Sequence, residues 1–187
     1  LRALLRKMVL SATYCQSSVA TEEHLNKDAR NLFLARAPSY RLQAETIRDN
    51  ALAACGLLNH KVGGESVKPY QPEGVWGFGS SGRYKVDSGD DLYRRSMYTF
   101  VRRTTPHPAM IAFDAPNRSV CTVKREKTNT PIQALVLLND PQFVEAARVL
   151  AQRMQQEIPT NLEAQTRYGF RLLCGREPDE LEMETMK

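Results

Sequence analysis

The stretch 132–138 constrains this chain more than any other. Ile132, Ala134, Leu135, Val136, Leu137 and Leu138 leave it apolar on nearly every helical face. Such a helix belongs in the centre of a bundle, because none of its faces is suited to water. Its ends carry the opposite chemistry, with Thr128, Asn129, Thr130 and Gln133 at one and Asn139 and Asp140 at the other. Thr130 before Pro131 suits an N-cap followed by proline at the first helical position, and Asn139 closes the helix. Polar termini buried in this way must find hydrogen-bond partners. The expectation is a central helix whose ends anchor a polar network.

The fold around it reads as mainly α: a helical bundle with a small two-stranded β ribbon and a long Gly/Pro/aromatic strap loop. The 187 residues, 42% of them hydrophobic, suffice for one globular domain over 1–187 with a real core. The strongest helical pattern covers 40–58, where Leu42, Ile47, Ala51, Ala54, Cys55 and Leu58 follow three-to-four spacing behind a Ser39 cap. Shorter patterns cover 2–10 and 21–35. Asp140-Pro141 starts a helix over 141–157, and Thr160 with Glu163 forms a capping box for another to Leu173. Residues 59–91 lose all periodicity and make a long internal loop, well beyond the usual ~12–15 residue limit. Tyr70, Trp76, Phe78 and Tyr84 suit it to pack as a strap. Residues 95–103 are rich in strand formers and are expected to pair with 120–124. The first residues read as the middle of an amphipathic helix, and 177–183 open a helix with no closing cap. The chain is therefore expected to be part of a longer multidomain protein.

Composition argues against several functions. A net charge of +5 is modest and dispersed, and the groups Arg94-Arg95 with Arg102-Arg103 and Lys124-Arg125 with Lys127 are read as solvated faces plus internal ion pairs. That opposes a nucleic-acid partner and leaves an anionic polysaccharide open. No apolar run approaches the ~20 residues that span a bilayer. Cys15, Cys55, Cys121 and Cys174 stand far apart without a CxxC, so no zinc ribbon, redox pair or haem attachment is encoded, and no metal or cofactor is expected in this chain. Cys55 and Cys174 read as buried small hydrophobes.

Three apparent motifs are weak. Gly77-Phe78-Gly79-Ser80-Ser81-Gly82 matches GxGxxG, but without the preceding strand and following helix that phosphate binding needs. His24, His60 and His107 show no ligand spacing and suit surface or capping roles, His107 alone being held rigidly between two prolines. The acidic pairs Glu45 with Asp49 and Asp90 with Asp91 could serve glycoside hydrolysis, although helix pairs of this kind are usually solvated or ion-paired.

The residues with most to offer are Arg95, Asp114, Arg125, Asn129, Gln133 and Asn139. One reading makes them an internal polar network clamping strap and ribbon to the bundle, and this reading is preferred. The other makes the helix N-terminus an anion or carbohydrate site with Arg95, Arg125 and Asn129 as donors.

The ordered set Ser11-Ala12-Thr13-Tyr14 with Gln16-Ser17-Ser18, Arg41-Leu42 to Glu45, Ile47-Arg48-Asp49, Gly63-Gly64-Glu65-Ser66-Val67, Tyr93-Arg94-Arg95-Ser96-Met97-Tyr98, Phe113-Asp114-Ala115-Pro116, Thr128-Asn129-Thr130-Pro131-Ile132-Gln133-Ala134-Leu135 and Leu138-Asn139-Asp140-Pro141 carries a family resemblance. The chain resembles the C-terminal domain of unknown function of large secreted, planctomycete-type cytochrome c domain-containing proteins, over nearly its whole length. That resemblance implies an extracytoplasmic protein, haem c on an upstream domain, partners among the upstream domains of the same polypeptide, and a role in polysaccharide handling. It implies no catalytic residue. Cys15 departs from the pattern, where a more polar residue, often arginine, is expected.

Two functions follow as expectations. The first is a non-catalytic interaction or structural module that packs on the upstream domains and presents a basic, aromatic-bearing surface to an anionic polysaccharide. The second is a carbohydrate-active or redox-coupled enzyme domain, which needs a cleft joining Asn129, Arg125, Arg95 and a carboxylate such as Asp114 or Glu45.

Overall fold

The computed structural model describes residues 1–76 and 84–186. Among them the chain is mainly helical, with α1 (Arg2–Val9), α2 (Glu22–Asp28), α3 (Ala44–Cys55), α4 (Pro108–Ala112), α5 (Pro131–Asn139), α6 (Pro141–Glu157), α7 (Leu162–Cys174) and α8 (Glu180–Thr185). They fall into two compact units, Leu1–Arg41 and Leu42–Lys187.

In the first unit, α1 ends at Leu10 and α2 is held by a capping box between Thr21 and His24. The helix expected over 21–35 stops at Asp28 because that carboxylate accepts the backbone N–H groups of Leu32 and Phe33, both at 2.8 Å. The chain then turns through Asn31 and Leu34, each at a φ of 53°. No residue from Leu1 to Arg41 is buried.

The second unit is built around α3, which packs against α4, α6, α7 and a 3-10 turn at Ser96–Tyr98. Ala44, Leu52, Ala54 and Cys55 are buried on it, beside Ala146 of α6, Phe113, Val67 and Met183. The helix is shorter than the pattern over 40–58 suggested. It starts after Gln43 and stops at Gly56, whose φ of 86° is the left-handed C-cap conformation glycine adopts without a Cβ penalty. Helices α6 and α7 approach closely where α7 carries Gly169, since a Cβ there would lie 2.7 Å from Met154 Sδ. Asp140 caps α6 through Gln142 N–H, as the Asp-Pro pair predicts, whereas α7 is capped by Asn161 rather than Thr160.

Residues 59–76 and 84–88 contain no helix. Lys68 N–H donates to the Asp87 carboxylate at 2.7 Å, Asp87 N–H returns a bond to Lys68 O, and Pro69 is fully buried. Trp76 sits edge-on to Tyr84 with ring centroids 4.9 Å apart. The GxGxxG run and Phe78 lie outside the described residues.

Two expectations need correction. The ribbon between 95–103 and 120–124 does not form among the described residues. Asn59 and Val67 instead make isolated parallel bridges to Arg94 and Thr99. The reason is competition for backbone groups: α3 side chains take the Leu92 and Arg94 carbonyls and the Ser96 N–H, bending the segment into a 3-10 turn instead of leaving it free for a ladder. The second correction concerns α5, which is not central. Only Gln133 is buried on it, while Ile132, Leu135 and Leu138 are 61%, 56% and 73% exposed. Its main packing is on α4 and α6, and most of its side chains are exposed among the described residues.

Candidate functional site

The polar residues expected to meet in one place fall into separate groups. At the start of α5, Asp114 sits at a φ of 60° and accepts from Thr128 N–H at 2.7 Å and from the Thr128 hydroxyl at 2.9 Å. The buried Gln133 amide donates to the same hydroxyl at 3.1 Å and to Thr128 O at 3.2 Å. The Thr128 hydroxyl thus donates to Asp114 and accepts from Gln133, and the three fasten the segment ahead of α5 to its first turn. Asn129 is exposed. Asn139, at the far end, donates back to Leu135 O of its own helix at 2.8 Å.

Arg125 belongs to a second group. It embraces the Glu45 carboxylate of α3 at 2.7 and 3.1 Å, and reaches Gln43 Oε1 at 3.1 Å. Burial would raise the Glu45 carboxyl, but the Arg125 guanidinium outweighs it and the group lies below its ordinary range. A carboxyl whose folded pKa is depressed adds stability that is present above the unfolded value and lost as pH falls through the folded one. Glu45→Gln is therefore expected to lower stability by about 1 kcal/mol at pH 7. In urea titrations the gap between wild type and variant should close as pH falls below the ordinary value of 4.5. A gap unchanged down to pH ~2 would contradict the pairing.

Arg95 stands apart again, with a half-exposed side chain whose Nε lies 3.9 Å from Asp49. Asp49 itself accepts the Ser96 N–H at 2.7 Å. Neither acidic residue of the Glu45/Asp49 pair is therefore without a partner.

The densest polar cluster involves residues the sequence reading did not single out. Arg48 is only 4% exposed and spends its guanidinium on Leu92 O at 2.7 Å, Arg94 O at 2.8 Å, Ser96 Oγ at 3.2 Å and Gln142 Oε1 at 2.8 Å. Burial lowers its pKa and Asp49 opposes the shift. Arg94, 2% exposed, donates to the carbonyls of Lys61, Gly63 and Glu65 and lies 4.0 Å above the Tyr98 ring. The signal for Arg48 was present: Ala44, Arg48, Leu52 and Cys55 share one helical face at four- and three-residue spacing. No comparable pattern marks Arg94, which was expected on a solvated face or in an ion pair and is instead buried on backbone carbonyls.

On the surface, Arg102 stacks over Trp76 at 4.6 Å and Arg103 is exposed. All four cysteines are free thiols, with Cys55 buried and its thiol pushed up by that burial, while Cys174 is exposed instead of buried. Among the described residues no group of three His, Cys, Asp or Glu side chains could hold a metal ion, and no helix is long and apolar enough to cross a membrane.

Comparison with known proteins gives one positive result. The family model described as PSD1, protein of unknown function (DUF1553), matches residues 1–187. No curated protein and no solved structure matches the chain. The chain belongs to that family of unknown function.

Proposed function

We propose that this member of the family is a non-catalytic interaction module that docks on a neighbouring folded domain through the open faces of α5. The exposure of Ile132, Leu135 and Leu138 carries this reading, with Leu137 and, on α6, Val144 also exposed. Ile132, Leu135 and Leu138 share one side of α5 at three-residue spacing, and a contiguous exposed apolar patch marks an interaction site. Fully burying a leucine or isoleucine stabilises by roughly 1.5–3 kcal/mol, so four or five half-exposed ones supply an effective anchor. The exposed polar residues Asn129 and Asn139 lie at the two ends of this face and suit a hydrogen-bonding rim.

The partner we propose is another domain of the same polypeptide, which the family resemblance implies is exported and carries haem c upstream. A polysaccharide contact would fall on the exposed Arg95 and Arg103 and on Arg102 above Trp76. The pairing of Arg125 with Glu45, and of Asp114 with Thr128, supports a structural role for those residues over a catalytic one.

Hydrogen exchange tests the docking. The α5 amides should exchange markedly more slowly in the full-length polypeptide than in the isolated chain 1–187, and equal rates would end the proposal. A Leu135→Glu/Leu138→Glu variant should keep the isolated chain's stability within ~0.5 kcal/mol, since both sites are exposed, while abolishing that added protection.

A further inference from the structure

The Leu1–Arg41 unit has no core. None of its residues is buried, and a stretch of about 40 residues in that condition does not usually hold its fold unaided. On α1, Leu1, Leu4, Leu5 and Met8 stand at positions i, i+3, i+4 and i+7, and Leu4, Leu5 and Met8 are 59%, 49% and 57% exposed. At about 3.6 residues per turn, these four side chains and Val9 occupy one arc of about 140°. Arg2 lies at one border of that arc with Arg6 beyond it, and Lys7 lies across the other border. No acidic residue stands on the helix. Residues 1–41 hold seven basic side chains against three acidic ones, so +4 of the chain's net +5 sits here, less dispersed than the whole composition suggests.

We infer that α1 docks as a helix into an apolar groove of another folded part of the same polypeptide, bordered by Asp or Glu carboxylates that meet Arg2 and Lys7. Positions i, i+3, i+4 and i+7 are those an amphipathic helix offers to a groove. The charges select the rim, because carboxylates opposite cations at the edge of a contact fix its register and exclude wrong partners. A unit without a core needs its cover continuously, and a neighbour on the same polypeptide supplies it at high effective concentration. A second copy of α1 would set Arg2 and Lys7 against cations of their own kind, which opposes self-association. An anionic bilayer would match the charge, but four such side chains offer about as much hydrocarbon as one acyl chain, which alone holds a protein to lipid only reversibly. Nor does α1 carry the Trp or Tyr that anchors at a bilayer surface. This contact is separate from the one proposed for α5, and each can fail without the other.

Amide exchange from Leu5 to Leu10, whose end members donate to Leu1 O and Arg6 O, reads the contact in the full-length polypeptide and in the chain 1–187. These amides should exchange at least about tenfold more slowly in the full-length polypeptide, as expected for a docked helix. Arg2→Gln/Lys7→Gln should cut that slowing by about threefold, and raising KCl from about 50 to about 500 mM should weaken it in wild type more than in the variant. Leu4→Gln/Leu5→Gln, at exposed positions, should abolish it while α6 and α7 exchange as before. The α5 amides, read in the same samples, report the other contact independently. Equal exchange of α1 in the two proteins overturns the proposal. In that event, slowing in the chain 1–187 that grows with its concentration would identify a second copy as the cover, and slowing on phosphatidylglycerol vesicles would identify lipid. Slowing that both Arg2→Gln/Lys7→Gln and salt leave untouched also overturns it, since the rim would then carry no carboxylates.

Discussion

Replacing Arg48 by methionine is expected to cost the Leu42–Lys187 unit about 3–5 kcal/mol, the range for removing one partner from a buried charged network. The side chain is nearly the right volume for the site, so the loss is not one of packing. It comes from the groups left behind: two backbone carbonyls, Leu92 O and Arg94 O, together with Ser96 Oγ and Gln142 Oε1, all turned inward toward a guanidinium that is no longer there. Each unsatisfied buried acceptor costs roughly 1–3 kcal/mol, and partial relaxation keeps the sum below four times that. Arg48→Lys should recover only part, because an ammonium lacks the planar fork that reaches Leu92 O, Arg94 O and Gln142 in different directions. Urea unfolding should show a lower midpoint at an unchanged slope. A loss under ~1 kcal/mol would mean that water enters and replaces the guanidinium, and the network would not be the tie between α3, α6 and the 89–98 segment that the geometry describes.

Arg94→Met should act differently, by releasing a segment. Arg94 has no carboxylate partner within salt-bridge distance among the described residues; its charge is met by carbonyls from Lys61, Gly63 and Glu65 and by the face of Tyr98. Those carbonyls belong to exposed residues that can turn to water once the guanidinium is gone. The expected global loss is therefore smaller, about 2–3 kcal/mol, with the larger effect local. The Gly63 N–H, bonded to the Tyr98 hydroxyl at 2.9 Å, and the Val67 N–H, bonded to Tyr98 O at 2.8 Å, should lose most of their exchange protection while α6 and α7 keep theirs. Uniform loss of protection across α6 and α7 would show that the segment is not a separable unit.

The difference between these two arginines also shows how far sequence reasoning reaches. Arg48 lies on the buried stripe of a helix whose phase can be counted from Ala44 to Cys55, so its burial was open to inference. Arg94 stands in a stretch without periodicity, beside another arginine that is exposed. Nothing within a few residues distinguishes Arg94 from Arg95, and only the path of 59–67 alongside Arg94 and Thr99 separates them. The same holds for His107, which is marked in sequence by its two prolines but bonds the Tyr70 carbonyl from thirty-seven residues away.

The apolar run 132–138 shows both sides of this. Its helix and its proline start were determined by the sequence alone, because helix propensity and the proline's fixed φ act within one turn and need no other part of the chain. So were the Asp140-Pro141 start of α6, the mainly helical class and the family. What α5 packs against was decided only in three dimensions. Composition demands that such a helix be covered but says nothing of what covers it, and α4 and α6 leave most of it bare. Burial is a property of neighbours, and neighbours are set by the tertiary arrangement.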